Sequence, residues 1–168
     1  MSTLTVFQYI LLVILILFTL VNFYAFTFGR KRSEQGKALY RQTLNQLHQK
    51  ALTEMKRHGI SFEEQRGYLN DLNEGILLAF DTKKKIAGIV LKDSFFHFPY
   101  ENLVSCTRQY DTLANKKITH VRVIIETTDE YITLLFGSRS YKPNSFLGKF
   151  ILEDSQEFCT ILTESCAR

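Results

Sequence analysis

The sequence has little proline, little glycine and no tryptophan. Only two prolines and eight glycines occur among 168 residues, and hydrophobic residues make up 45% of the chain. This composition excludes a collagen-like, low-complexity or disordered chain and favours a folded domain. The net charge of +4 is mild. We therefore expect no nucleic-acid partner, because such binders usually carry more basic residues in tighter clusters.

Cysteine is also scarce, and its pattern excludes a disulfide framework. Cys106, Cys159 and Cys166 form an odd set with no CxxC pair and no zinc-site spacing. We predict three free thiols in a reducing compartment. One bridge between Cys106 and a C-terminal cysteine is the alternative.

Motifs for catalysis and for metal or cofactor binding are missing. The sequence has no GxSxG, no phosphate-binding loop and no GxGxxG. Its four histidines lack metal-ligand spacing: His48, His58, His97 and His120. We therefore predict that the protein is not an enzyme and uses neither a cofactor nor a metal.

The first 29 residues lack charged side chains, which predicts a transmembrane anchor. At about 1.5 Å per residue, the apolar run 4–28 would cross a hydrocarbon core of about 30 Å. No basic segment precedes the run, which favours a retained anchor over a cleaved signal peptide. Arg30, Lys31 and Arg32 follow it. They predict contact with anionic lipid and a single-pass protein, N-terminus outside and C-terminal domain cytoplasmic.

The segment 30–59 predicts a membrane-proximal amphipathic helix. Apolar residues recur at steps of four, three, four and four: Tyr40, Leu44, Leu47, Ala51 and Met55. Gly59 is placed as a C-cap glycine. The helix either continues the anchor or begins after a break at Gly29. Its stripe predicts packing on its own domain or a spacer role, with pairing of two chains through residues 4–58 as the alternative.

From residue 60 to residue 168 the pattern alternates and predicts a β-rich domain. We expect seven strands, in a group of four and a group of about three: 75–80, 85–91, 94–98, 101–110, 120–127, 131–136 and 146–152. Asp154 and Glu157 have capping-box spacing, which predicts a closing C-terminal helix. The predicted class is α+β, with an antiparallel β-sandwich or barrel that this helix closes.

Two segments carry a resemblance to a known superfold. The first is the hairpin Ile76-Leu-Leu-Ala-Phe-Asp81-Thr-Lys-Lys-Lys-Ile86, and the second is the step Phe98-Pro-Tyr-Glu-Asn-Leu103-Val-Ser105. Over residues 75–166 the chain resembles pleckstrin-homology (PH-like) domains, in particular small bacterial ones found beside a membrane segment. The resemblance implies a PH-like domain in residues 60–168, located at a bacterial inner membrane.

The same resemblance implies an interaction module. We expect the domain to recruit or position a protein partner at the cytoplasmic face of the membrane, for example at an exposed strand edge. The alternative is an anionic-headgroup site at Lys83, Lys84 and Lys85, because lipid-binding PH domains use basic residues in this loop. A solvated turn also explains these lysines. Three further basic residues would extend such a site if the fold brought them together: Arg139, Lys142 and Lys149.

Overall fold

The fold is that of a computed structural model, which describes the backbone of residues 3–61 and 63–167. Side chains are described for residues 11–21, 38–61, 63 and 65–167. The chain divides into two compact units, Met1–Arg41 and Gln42–Arg168. The predicted domain boundaries, 1–29, 30–59 and 60–168, stay a prediction.

One long helix, α1, spans Thr3–Arg57. It passes through Gly29 without a break, so the continuous form of the predicted helix is the one found. Its C-terminus is closed by Gly59, whose φ is 67°. The Gly59 N–H donates to the Lys56 carbonyl, and the Ile60 N–H donates to the Met55 carbonyl. These two bonds form a Schellman motif, which confirms the predicted C-cap.

One location prediction is wrong. Within the part of the chain that the structure describes, no helix is both long enough and apolar enough to cross a membrane, which takes about 20 consecutive apolar residues. This contradicts the predicted single-pass location with the C-terminal domain in the cytoplasm. The side chains of Arg30, Lys31 and Arg32, predicted to lie at the membrane interface, are outside the described residues.

Seven antiparallel strands form two sheets in the unit Gln42–Arg168. Their bounds are β1 Glu64–Leu69, β2 Gly75–Asp81, β3 Ile86–Leu91, β4 Phe95–Pro99, β5 Leu103–Thr112, β6 Ile118–Thr127 and β7 Tyr131–Gly137. The first sheet has the order β1-β2-β3-β4, and the second has the order β5-β6-β7. A short 3-10 turn, Tyr100–Asn102, joins them. Among the described strands neither sheet closes on itself, so each is an open sheet.

The predicted α+β class with two antiparallel sheets and a C-terminal helix is confirmed. The number of strands is also seven, but the first strand was not predicted and the last predicted strand is part of a helix. β1 was not predicted, because its sequence, EQRGYL, is largely polar. Residues 146–152, predicted as the seventh strand, are instead the first turns of helix α2, Phe146–Cys166. Ser145 is the N-cap of this helix, so Asp154, the predicted cap, lies inside it.

The main core lies between the two sheets and α2. Tyr68 of β1, Phe136 of β7 and Phe158 of α2 meet edge to face, with ring centroids 5.6 to 5.9 Å apart. Such aromatic pairs contribute about 0.5–1.5 kcal/mol each beyond the area that they bury. Phe158 and Leu162 are both fully buried, so α2 is held to the sheets by one apolar face.

The end of α1 covers the other face of the first sheet. Successive residues of a strand point to opposite faces, and β2 is buried along its whole length. Two small clusters join α1 to the sheet: Leu47 and Ala51 with Leu77 and Val90, and Met55 with Ile60 and Ala79. The predicted packing of the apolar stripe on its own domain is therefore confirmed from Leu47 to Met55. Tyr40, also in the predicted stripe, is 41% exposed.

Candidate interaction surface

The hairpin between β2 and β3 contains the three lysines predicted to bind anionic headgroups. Asp81 is fully buried. Its carboxylate accepts the N–H groups of Ser61 at 2.7 Å, Lys84 at 2.9 Å and Lys83 at 3.1 Å. Burial raises the pKa of Asp81, but these donors outweigh it, and the pKa lies below its ordinary value. The turn backbone is therefore organised around an ionised carboxylate of the same chain.

The lysine side chains of this hairpin also have partners within the chain. Lys83 Nζ lies 3.5 Å from the Glu63 carboxylate, and Lys84 Nζ donates to the Gly59 carbonyl. Lys85 has a left-handed φ of 53°. An ammonium group has three N–H donors, so each of these contacts takes up part of its donor capacity and directs the side chain towards its own chain. The predicted headgroup site stays a prediction, and its geometry favours a structured turn.

A second basic region combines charge with exposed apolar side chains at the start of α2. Phe146 is 83% exposed, Leu147 is 55% exposed and Phe150 is 47% exposed. Phe146 and Phe150 are neighbours on the helix surface because they are four residues apart. Single exposed apolar residues are ordinary, but a contiguous group of them marks an interaction surface.

A groove of about 410 Å³ lies beside these side chains. Its lining includes Lys117, Tyr141, Lys142, Ser145, Phe146 and Leu147. We call the set formed by Lys117, Tyr141, Lys142, Phe146, Leu147 and Phe150 the basic–aromatic surface. It joins the hairpin before β6, the loop after β7 and the first turns of α2. An isolated β-bridge holds the hairpin before β6 to the loop after β7, because the backbones of Ile118 and Tyr141 exchange two hydrogen bonds of 2.8 Å.

The junction between this loop and α2 is tightly built. Ser145 Oγ donates to the Lys142 carbonyl at 2.7 Å and accepts the Gly148 N–H at 3.2 Å. An N-cap of this kind pairs one of the free N–H groups at the helix start. A Cβ added at Gly148 would lie 2.2 Å from the Lys142 carbonyl oxygen, so only glycine fits. The start of α2, and with it Phe146, is held against the loop.

Asp71, in the turn between β1 and β2, also holds the loop after β7 in place. One of its carboxylate oxygens accepts the N–H groups of Ser138 and Arg139 and the hydroxyl of Tyr141, each at 2.8 Å. Burial raises the pKa of Asp71, but these donors outweigh it and hold the pKa below its ordinary value. Burial, together with the bond to Asp71, raises the pKa of Tyr141 to about 12. The Tyr141 hydroxyl therefore remains a donor at neutral pH.

The basic–aromatic surface carries positive charge, and the chain segment that contributes most of it has no acidic side chain to balance that charge. The sequence has no acidic residue between Glu130 and Glu153. Among the residues with described side chains, neither Lys117 nor Lys142 forms an ion pair. The surface therefore offers two ammonium groups beside apolar side chains, which suits a partner that is both acidic and apolar.

Sequence reasoning found this surface only in part. Of the three residues proposed as a basic rim, Lys142 lines the groove, Lys149 lies between Phe146 and Phe150 in the first turns of α2, and Arg139 is outside the lining. The apolar residues were missed because the sequence pattern predicts a strand over 146–152, and Lys117 was missed because only the pairing of Ile118 with Tyr141 brings that lysine to the groove. The signal that could have found them is Ser145, a preferred N-cap residue directly before Phe146.

The predicted binding of a peptide at a strand edge stays a prediction, and β5 is one of the strands that offer such an edge. Among the described strands, β5 pairs only with β6. Val104, 59% exposed, and Tyr110, 42% exposed, lie along it. Its register with β6 shifts between Leu103 and Ser105 and again between Gln109 and Asp111. Such irregularities twist an edge and interrupt pairing with an added strand.

The structure holds no disulfide bond among Cys106, Cys159 and Cys166, and the three predicted free thiols, like the alternative of one bridge from Cys106, stay a prediction. In the described part of the chain, no group of three or more His, Cys, Asp or Glu side chains is arranged to hold a metal ion. No family model, curated protein or solved structure matches this chain. The resemblance to PH-like domains therefore stays a prediction.

Proposed function

We propose that this chain is a non-enzymatic interaction module that recruits or positions a protein partner through the basic–aromatic surface. The observation that carries the proposal is the exposure of Phe146, Leu147 and Phe150 beside a groove of about 410 Å³. Burial of aromatic side chains supplies much of the binding energy of protein interfaces, and these side chains are available for it.

We further propose that the domain is PH-like. Support comes from the chain order: four antiparallel strands in one sheet, three in the next, and a C-terminal helix that packs on the core between them. In this arrangement α2 has two roles. Its middle, around Phe158, completes the core, while its first turns carry the exposed apolar side chains.

The partner that this surface suits is a segment with apolar anchors and acidic neighbours. Large apolar side chains would enter the groove beside Tyr141 and Phe146. Carboxylates next to them would approach Lys117 and Lys142. Charge pairs of this kind mainly raise the association rate and select among partners, whereas the apolar anchors hold the complex together.

A photocrosslinking experiment tests the proposal in cells. A photoreactive phenylalanine analogue is placed at Phe146 in one chain and at Tyr131, which is 72% exposed on β7, in a control chain. We expect one reproducible crosslinked protein from position 146 and none from position 131. Equal crosslinking from both positions would mean that the surface has no special role.

A binding assay tests the chemistry of the surface. The probe is a labelled peptide of alternating acidic and aromatic residues, compared with a peptide in which lysine replaces each acid. We expect the acidic peptide to bind the full chain, and Phe146→Asp to weaken binding at least tenfold, since a lost aromatic anchor costs about 2 kcal/mol or more. Val104→Asp, a change at a similarly exposed apolar residue on β5, should leave binding unchanged.

The headgroup alternative is tested with vesicles that contain anionic lipid. The comparison is between the unaltered chain and a chain with Lys83, Lys84 and Lys85 all replaced by Glu. If the unaltered chain binds the vesicles, and this triple change abolishes binding while Phe146→Asp does not, the hairpin is the working site. That result would overturn the proposal for the basic–aromatic surface.

A further inference from the structure

Cys106 of β5 and Cys159 of α2, far apart in the sequence, meet in the folded chain. Cys106 Sγ and Cys159 Sγ lie 3.1 Å apart although 53 residues separate them. Cys106 and Cys166 are partly buried against the same core that contains Cys159. The separation of the first pair exceeds a disulfide bond of about 2.05 Å by only about 1 Å.

We propose that Cys106 and Cys159 form a redox modification site: a hydroperoxide oxidises the pair to an intramolecular disulfide that links β5 to α2. The inference is independent of the proposed docking function. It needs only the thiol pair and an oxidant small enough to reach it. Cys159 is 4% exposed and Cys106 is partly exposed, so the oxidant that suits this site is one as small as hydrogen peroxide.

The chemistry begins at Cys159. The Cys106 thiol donates a hydrogen bond to the Cys159 sulfur, and this bond lowers the pKa of Cys159. Burial raises that pKa and the positive charge of Arg108 lowers it, so that the pKa lies below its ordinary value. Arg108 is held nearby by its bond of 2.8 Å to the Leu152 carbonyl. The thiolate is the nucleophilic form of cysteine, so Cys159 is the residue that attacks the peroxide. The same hydrogen bond and burial raise the pKa of Cys106, so Cys106 is the resolving cysteine, which attacks the oxidised Cys159.

The two steps balance in atoms and electrons. The Cys159 thiolate attacks one peroxide oxygen, the O–O bond breaks, and Cys159 becomes a sulfenic acid while the other oxygen leaves as water after taking a proton. The Cys106 sulfur then attacks the Cys159 sulfur. The S–S bond forms, the S–O bond breaks, and the hydroxide leaves as water with the Cys106 proton. Two thiols are oxidised, and one hydrogen peroxide is reduced to two waters.

Cys166 provides the internal control. It lies seven residues after Cys159 on α2, so their α-carbons are about 10 Å apart along the helix. A disulfide needs α-carbons within about 7 Å, so these two cannot be bridged while α2 is intact. Burial also raises the pKa of Cys166 to about 11, which keeps it a thiol at neutral pH.

The first test is direct detection of the bridge in the full chain, purified with a non-ionic detergent because residues 11–21 expose apolar side chains. Treatment with a stoichiometric amount of hydrogen peroxide should lower the titratable thiols from the three free ones to one. Peptide mapping should find Cys106 joined to Cys159, and dithiothreitol should restore all three. Three thiols after treatment, or a linked peptide that contains Cys166, would overturn the proposal.

Two variants sharpen the test. Cys166→Ser should still lose two thiols and form the same linked peptide. Cys106→Ser should form no intramolecular bridge and should stop at the sulfenic acid of Cys159, which a dimedone reagent traps. The oxidised chain should also unfold at a higher temperature than the reduced chain, because the bridge restricts the unfolded state. An unchanged or lower midpoint in the bridged chain would contradict the geometry that we describe.

Discussion

Asp71 offers the sharpest test of how the basic–aromatic surface is held in place. One oxygen of its carboxylate accepts the N–H groups of Ser138 and Arg139 and the hydroxyl of Tyr141, and the Ser138 hydroxyl lies within hydrogen-bond distance of both oxygens. Asp71→Asn keeps the size of the side chain but removes the charge, and it turns one of the two oxygens into a donor. We expect this change to loosen the loop after β7 and to destabilise the unit Gln42–Arg168.

The magnitude follows from the number and kind of bonds. A hydrogen bond to a charged group contributes about 1.5–3 kcal/mol, but these bonds converge on one oxygen and Asp71 is only partly buried. We therefore expect a loss of about 2 kcal/mol. For a domain of this size, that loss lowers the thermal midpoint by roughly 8 °C. Asp93→Asn, at an exposed carboxylate, should change the stability by less than about 0.5 kcal/mol.

The pH dependence gives an independent check. The pKa of Asp71 in the folded chain lies below its ordinary value of 3.8. The ionised carboxylate therefore stabilises the fold above pH 3.8, and this contribution is lost as the pH falls through the lower, folded pKa. The stability difference between the unaltered chain and Asp71→Asn, measured by urea unfolding, should be full at pH 7 and should shrink below pH 3.8. A difference that is absent at pH 7, or that grows in acid, would refute the reasoning.

Four other substitutions test three separate parts of the fold, each by urea unfolding of the full chain. Phe158→Ala should lower the free energy of unfolding by about 3–5 kcal/mol, because it leaves a cavity in the main core. Phe150→Ala, the control, should lower it by less than about 1 kcal/mol, since Phe150 is 47% exposed. Equal losses of stability would mean that α2 is packed differently. Gly148→Ala should cost about 1–3 kcal/mol, because its Cβ would meet the Lys142 carbonyl, and a neutral result would disprove the tight junction. Met55→Ala should lower the free energy of unfolding by about 2–5 kcal/mol, because Met55 packs α1 on the first sheet. A loss of under about 0.5 kcal/mol, which is typical of an exposed residue, would contradict that packing.

The features that could be predicted depend on residues close together in the sequence. The stripe from Leu47 to Met55 follows the helical period, and the C-cap at Gly59 requires a positive φ that glycine adopts freely. The hairpin turn at Asp81 is likewise local, because its carboxylate accepts N–H groups two and three residues away. In each case the local pattern and the tertiary structure agree.

The features that could not be predicted depend on distant partners. β1 has a polar sequence, and it is recognisable as a strand only through its register with β2, in which Tyr68 lies opposite Ile76. The candidate surface draws Lys117 and Phe146 together from opposite sides of β7 in the chain. The approach of Cys106 to Cys159 spans 53 residues, and no spacing rule in the sequence brings them into contact.

Phe146 and Phe158 show most directly where the two kinds of information separate. By itself the sequence determined an α+β chain whose apolar residues follow helical and alternating periods, and it placed a helix around Phe158. It placed Phe146 in a strand and Phe158 in the closing helix, although the two lie on the same helix. Only the tertiary structure decided that Phe158 is fully buried and Phe146 is 83% exposed, because burial depends on which surfaces the two sheets present to α2. That difference separates a core residue from the residue on which the proposed function depends.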